Sequence, residues 1–491
     1  MMDLARKTVD GATVNISVTL FKTVLQFMVV LPILARVVSP EQFGFVGMAM
    51  AFVTFFTMFN DLGISAALVR EDKPSPAFWS SAFWTNLVLG FSLTGLSFLA
   101  APAIADFFME PIVEPLVQVL SMVLFMHCLF LVPMAWLQRN FRFVTIAAID
   151  LTATILSAIG AIWAAFEGYG VWALVIQQIL MFGVKMVGGL ACQRAPIRWV
   201  FDADEIIRVL PFSLRLTGAG FVGFVNRNTD NILIGRFLGA EALGFYGRAY
   251  QIMLVPVNSI GAGAGFALYP AMSAIKSDMK RLANVYLKSQ SVLTAVTLPM
   301  MTGLALVATP FVALVFGPNW DTVVPVLFYL SFAGVVQALI GTSNVLWKAL
   351  GQTEVLLHWS IIRMAGFVSA FAVGIWMGSI ANLAAVYLLA NLVLFVPFQL
   401  VTLRRIGIPA RDFIASLAPC LISTGLMALT LVVVKWSIPD LSAWSSVQQL
   451  GLLIPIGIIS YGAAMVLLFR TYLTDLLTEA RDLFLRRGAP A

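Results

Sequence analysis

Long apolar runs alternate along this chain with short polar connections, and each run is far longer than a buried helix or strand of a soluble core. A helix that crosses a bilayer needs about 20 mostly apolar residues, because hydrocarbon offers no water to an unpaired backbone. By that measure the chain predicts fourteen spanning helices, near 12–34, 43–68, 77–101, 113–135, 143–166, 170–191, 211–235, 243–270, 288–309, 322–347, 355–377, 380–402, 412–434 and 448–470. The longest polar stretches are 192–210 and 273–287, so no loop is large enough to form a domain of its own. Residues 1–11 are polar and the first apolar run is too long for a signal peptide, so the first span is expected to stay in the protein. After the last span, 471–491 alternates Leu with Asp, Glu and Arg, the pattern of an amphipathic helix on a membrane surface.

The pattern repeats at an offset of 200 residues. Set 34–47, LARVVSPEQFGFVG, over 234–247, IGRFLGAEALGFYG, and Arg36, Glu41, Gly44, Phe45 and Gly47 coincide with Arg236, Glu241, Gly244, Phe245 and Gly247. Composition alone would give roughly one coincidence. The offset continues from GISAAL at 63–68 to GAGFAL at 263–268. With ten more residues, VEPLVQVLS at 113–121 matches VVPVLFYLS at 323–331. Six spans separate the matched segments. An even number makes the two copies run in the same sense, related by an axis along the membrane normal. The expected architecture is therefore an all-α polytopic membrane protein: six-helix bundles at 1–200 and 201–405, two further spans in 406–470, and the surface tail at 471–491.

Composition agrees and removes other classes. Hydrophobic residues are 60% of the chain and charged residues 11%, with a mean hydropathy of +0.94; a soluble domain is about 25% charged. The net charge of +6 does not imply a nucleic-acid partner. Most Lys and Arg fall in alternate connections, while Arg36, Arg236, Arg248 and Lys435 lie at the opposite face. This bias places both termini in the cytoplasm. Cys128, Cys192 and Cys420 are scattered with no metal or redox spacing. Gly218, Gly220 and Gly223 spell GxGxxG inside a span with no strand before it, and GAGAG at 261–265 reads as a helix-packing face. No GxxxxGK[ST] is present, and His127 and His358 stand in different spans. Neither a metal, a cofactor nor an enzymatic activity is expected.

The informative chemistry is charge inside the spans, where an ionisable group costs about 2.5–3.5 kcal/mol and so faces protein or a wet cavity. Lys22 lies in the middle of the first span, and Arg215, Arg227 and Arg363 lie in later ones. Arg227 and Asp230, three apart on one helical face, sit in the polar run NRNTDN. Together Lys22, Arg215, Arg227 and Arg363 predict a cationic cavity that draws in an anion, while an interhelical salt bridge is the structural reading of Arg227 and Asp230. Lys185 is close enough to a span end to snorkel and receives no role.

The stretches RNTDNILIGRFLGAEALGFYGRAYQIMLVP at 227–256 and DLGISAALVR at 61–70 resemble the polysaccharide transporter family: Wzx-type flippases of the multidrug/oligosaccharidyl-lipid/polysaccharide exporter superfamily, near the colanic acid and exopolysaccharide exporters. The resemblance spans essentially the whole chain. It implies a protein of the bacterial inner membrane that moves undecaprenyl-pyrophosphate-linked oligosaccharide repeat units to the periplasmic leaflet by alternating access, beside the glycosyltransferases and polymerase of its pathway. The four cations would then hold the pyrophosphate. Members resembling this chain are often driven by H+ or Na+, for which Asp230 and Asp61 are the candidate carboxylates, Asp61 being equally suited to capping a helix. Two other readings stay open. A small-molecule or drug antiporter of the same superfamily would share the fold, although exporters of organic cations favour carboxylates where cations predominate here. A membrane glycan polymerase or ligase would bring a large periplasmic loop, and this chain has none. If Arg227 binds substrate, Arg227→Ala is expected to abolish polymer export at an unchanged protein level on immunoblot; loss of the protein itself would indicate the structural salt bridge.

Overall fold

The computed structural model describes residues 18–72 and 74–474, without the side chains of 212–217, 219–223, 226–227 and 259–267. Most of the predicted surface tail, 475–491, lies outside the described residues. The described residues form helices joined by short turns, in two compact units, Met1–Gly244 and Phe245–Ala491. This division follows packing, and falls at a different place from the repeat boundary at 200–201. Eleven described helices are long and apolar enough to cross a membrane. The count of fourteen is not reached on that measure. The other three predicted spans fall on a helix pair interrupted by a turn at 58–63 and on the two parts of one long, broken helix.

The first unit contains α1 (Val18–Val37), α2 (Pro40–Thr57), α3 (Ile64–Arg70), α4 (Pro76–Phe108), α5 (Val113–Arg139), α6 (Phe143–Phe166), α7 (Val171–Cys192) and the first part of α8 (Ala203–Ala274). Local sequence starts these helices where the caps permit. Ser39 accepts the Gln42 N–H while the Gln42 side chain accepts from the Ser39 N–H, a reciprocal cap with Pro40 in the first turn. Ser75 caps α4 in one direction, accepting the Phe78 N–H at 2.9 Å. Between α2 and α3 the chain passes through Leu62 and Gly63, both at positive φ. The Asp61 carboxylate then accepts the Ser65 N–H at 2.9 Å and the Ser65 hydroxyl at 2.6 Å, satisfying the start of α3. Its far end is held by Arg139 of α5, whose guanidinium donates to the carbonyls of Leu68, Val69, Glu71 and Asp72.

Helix α8 breaks at Gly239, whose φ of 86° and ψ of 176° no residue with a Cβ adopts easily. Five residues on, the repeated glycines meet. A Cβ on Gly44 would fall on the carbonyl of Ala240, and a Cβ on Gly244 would fall on the carbonyl of Pro40. Positions 40 and 240 are repeat equivalents, as are 44 and 244. The contact is therefore reciprocal, as a local twofold demands. The identity of these glycines thus has a steric cause: both remove a side chain so that two backbones can touch.

The second unit continues from the rest of α8 through α9 (Met279–Leu306), α10 (Ala308–Val315), α11 (Val323–Ala349), α12 (Thr353–Trp376), α13 (Ile380–Arg405), α14 (Ala410–Ser437) and α15 (Ser446–Leu468). A buried polar network ties α9, α11 and α13 together. The Tyr286 hydroxyl lies 2.8 Å from the Ser343 hydroxyl and accepts from the side-chain amides of Gln290 at 2.8 Å and Gln399 at 2.7 Å. Helices α14 and α15 pack in this same unit. Tyr461 of α15 donates to the Ala295 carbonyl of α9 at 2.8 Å, and Ser291 of α9 donates to the Ser416 carbonyl of α14 at 3.1 Å. Large apolar side chains such as Phe91, Leu99, Trp376 and Leu467 point outward while Asn60, Asn86, Gln290 and Ser343 are buried, an arrangement suited to lipid and costly in water. Gly44→Ala and Gly244→Ala are each expected to destabilise the protein by about 1–3 kcal/mol through overpacking, read as a lower unfolding midpoint in detergent. Gly247→Ala, whose Cβ meets nothing within 4 Å, should be neutral.

Candidate functional site

Within the first unit, three charged side chains from three different helices converge. Lys22 of α1 lies 2.5 Å from Asp150 Oδ2, and Lys185 of α7 lies 2.8 Å from Asp150 Oδ1, so one carboxylate of α6 holds an ammonium group on each oxygen. The trio carries a formal charge of +1. Between 20% and 31% of each side chain stays accessible, so the cluster borders open space. A charge facing hydrocarbon would pay the full insertion cost, so an aqueous surrounding would suit this open side best. Lys22 stands one turn before Gln26–Val30, a stretch wound as a π-helix. Such bulges occur frequently at functional sites. Lys185 lies 6.0 Å from the ring centroid of Phe182, whose edge also meets His127.

Lys22 was expected to be a substrate-binding cation and Lys185 a snorkelling one. The structure gives both the same partner. Asp150 and Lys185 are the residues that sequence reasoning passed over, and the signal was present: a carboxylate inside the predicted span 143–166 violates the same insertion cost that singled out Lys22. What the sequence lacks is the pairing, because 22, 150 and 185 meet only through packing of α1, α6 and α7.

The other predicted residues are distributed. The backbone of Arg215 and Arg227 belongs to α8, but their side chains lie outside the described residues. Asp230 is buried and its Oδ1 accepts the Asn231 N–H at 2.8 Å. Elsewhere in the NRNTDN run, the Asn228 amide donates to the Phe224 carbonyl and the Thr229 hydroxyl to the Val225 carbonyl, so part of that polarity is spent within its own helix. Asp61 meets Ser65 and, at 3.4 Å, the Asn86 amide, which is capping geometry.

Arg363 belongs to the second unit. Its guanidinium lies 5.6 Å from the Phe367 centroid, a cation–π distance. Beside it, Tyr387 packs against Phe367 and stacks on Phe371 at 5.5 Å, and its hydroxyl accepts from Gln337 at 2.8 Å. The repeated charges sit at helix ends. Arg36 lies in the last turn of α1, Glu41 lies in the first turn of α2, and Arg236 lies 5.7 Å from the Phe107 ring; Glu41 complements the helix dipole. Glu241 follows the break at Gly239 and is exposed. Among the described residues no group of three His, Cys, Asp or Glu is placed to hold a metal ion.

Two lysines on one carboxylate act as mutual substitutes. Lys22→Met and Lys185→Met are each expected to cost less than about 1 kcal/mol, because these accessible pairs are weak and one partner remains. The double variant leaves Asp150 unpaired and should lose more than the sum, a coupling of about 1 kcal/mol in a double-mutant cycle of unfolding midpoints.

The chain is 28% identical over 459 residues to the succinoglycan biosynthesis transport protein ExoT of Rhizobium meliloti (strain 1021), covering 93% of this chain and 92% of that protein. It is 27% identical over 401 residues to the teichuronic acid biosynthesis protein TuaB of Bacillus subtilis (strain 168), covering 80% and 82% respectively. Its fold is similar to that of the lipid II flippase MurJ in an inward closed conformation, with a TM-score of 0.72 at 16% identity, over 93% of this chain and 98% of that one. Residues 33–325 match the family model described as polysaccharide biosynthesis protein, and the chain belongs to that family.

Proposed function

We propose that the protein is a flippase for lipid-linked oligosaccharides, moving undecaprenyl-pyrophosphate-linked repeat units across the bacterial inner membrane for assembly of an extracellular or cell-surface polysaccharide. The observation that carries this reading is positive charge in excess inside membrane-length helices: Lys22 and Lys185 share the single carboxylate of Asp150. A pyrophosphate cannot cross hydrocarbon unaided, and cations held where water reaches them lower that barrier. Lys22, Arg215, Arg227 and Arg363 are proposed as the cationic groups along the path of the headgroup. Arginine is suited to gripping a phosphate through two parallel hydrogen bonds, and lysine to acting as a point charge. The prenyl tail stays in lipid. The named roles of ExoT and TuaB in polysaccharide biosynthesis and the flippase fold of MurJ support the same reading. The proposal places both termini in the cytoplasm and treats the protein as a carrier with no chemistry of its own. Where H+ or Na+ drives transport, Asp230 is the preferred coupling carboxylate, since Asp61 already serves α3.

The test is the sidedness of the repeat unit. Intact spheroplasts lacking the protein are probed with a membrane-impermeant glycan label, with and without the protein restored. The expected outcome is an intermediate that accumulates unlabelled and becomes accessible on restoration. A repeat unit equally accessible in both strains would reject the flippase reading.

A further inference from the structure

We propose that Asp150 is a resident counter-ion that the substrate's pyrophosphate displaces, and that Lys185 joins Lys22 as a ligand of that pyrophosphate. The inference rests on the flippase reading and names the working parts of the same site. Each oxygen of Asp150 holds one ammonium, at 2.5 and 2.8 Å. A pyrophosphate presents the same face to a pair of lysines: anionic oxygens side by side, each able to accept from an ammonium at about 2.7–2.9 Å. Among the described residues, Asp150 is the carboxylate that pairs with either lysine. With 20–31% of each side chain accessible, the cluster is not sealed inside the protein.

The reason for such a device lies in the empty protein. A carrier must return without its cargo, and two bare ammonium groups repelling each other at low dielectric would make that state costly. Asp150 supplies the missing negative charge in the unloaded state. On loading, the phosphate takes over one or both ammonium groups and Asp150 turns toward water. Binding is then an exchange of one anion for another, and the carboxylate lowers affinity so that the anion can leave again. A carboxylate that merely braced α1, α6 and α7 would have no such effect on affinity.

The experiment measures binding of farnesyl pyrophosphate to the purified full-length protein in detergent micelles by titration calorimetry, with export assayed in cells for the same variants. Asp150→Asn is expected to bind the probe at least tenfold more tightly than the wild type while export falls, a gain in binding with a loss in turnover. Lys185→Met is expected to bind at least tenfold more weakly. Asp150→Glu, which keeps the charge, should restore both affinity and export toward wild type. Equal or weaker binding by Asp150→Asn, in protein that elutes and melts like wild type, would overturn the counter-ion. If that variant does not fold, unchanged affinity in Lys185→Met overturns the site by a second route. Either result, with restored sidedness of the repeat unit in spheroplasts, would sink this inference and leave the flippase standing. Loss of the sidedness effect would sink both.

Discussion

Hydrocarbon cannot solvate a charge or an unpaired peptide group, and most features of this protein are answers to that constraint. Most of the described backbone is wound into helices, because a helix satisfies its own N–H and C=O groups within one segment. Helix ends, which cannot do so, receive side chains: Ser39 with Gln42, Ser75, and Asp61 and Arg139 at the two ends of α3. Polar side chains turn inward and find each other, as Tyr286, Gln290, Ser343 and Gln399 do. Charge is the extreme case. Lys22, Asp150 and Lys185 come together, so that each charge has an opposite partner.

The same constraint explains how close packing replaces the hydrophobic effect. Lipid tails are as apolar as leucine, so burying leucine against leucine gains little, and contact between backbones gains more. Gly44 and Gly244 provide that contact with the carbonyls of Ala240 and Pro40. Both copies of the repeat make the same approach, so a Cβ at either glycine would meet a backbone carbonyl.

In the proposed flippase, an ion cluster with one positive charge to spare serves two needs that compete. It must be stable when empty, which the Asp150 carboxylate secures, and it must attract an anion when a substrate arrives, which the spare ammonium secures. A site with two matched ion pairs would be inert, and a site with bare lysines would bind and hold. The intermediate arrangement, partly accessible, suits the proposed carrier.

The periodicity of apolar residues by itself determined the class, the helical architecture and the approximate position of most spans, because spanning a bilayer imposes a length that can be counted along a chain. It also exposed the repeat, since Gly44 and Gly244 are held by sterics that leave a mark on identity, and it singled out Lys22 by its cost. The break of α8 at Gly239 was legible too, since Gly239 falls in the connection between the predicted spans 211–235 and 243–270. Asp150 escaped notice, and Lys185 was assigned no role, for one reason. A charged residue shows in the sequence that it needs a partner but never which one, and residues 22, 150 and 185 are brought together by packing of α1, α6 and α7 alone. Only the tertiary structure decided that two lysines share one carboxylate, because ion pairing depends on distances of a few ångströms between helices far apart in the chain.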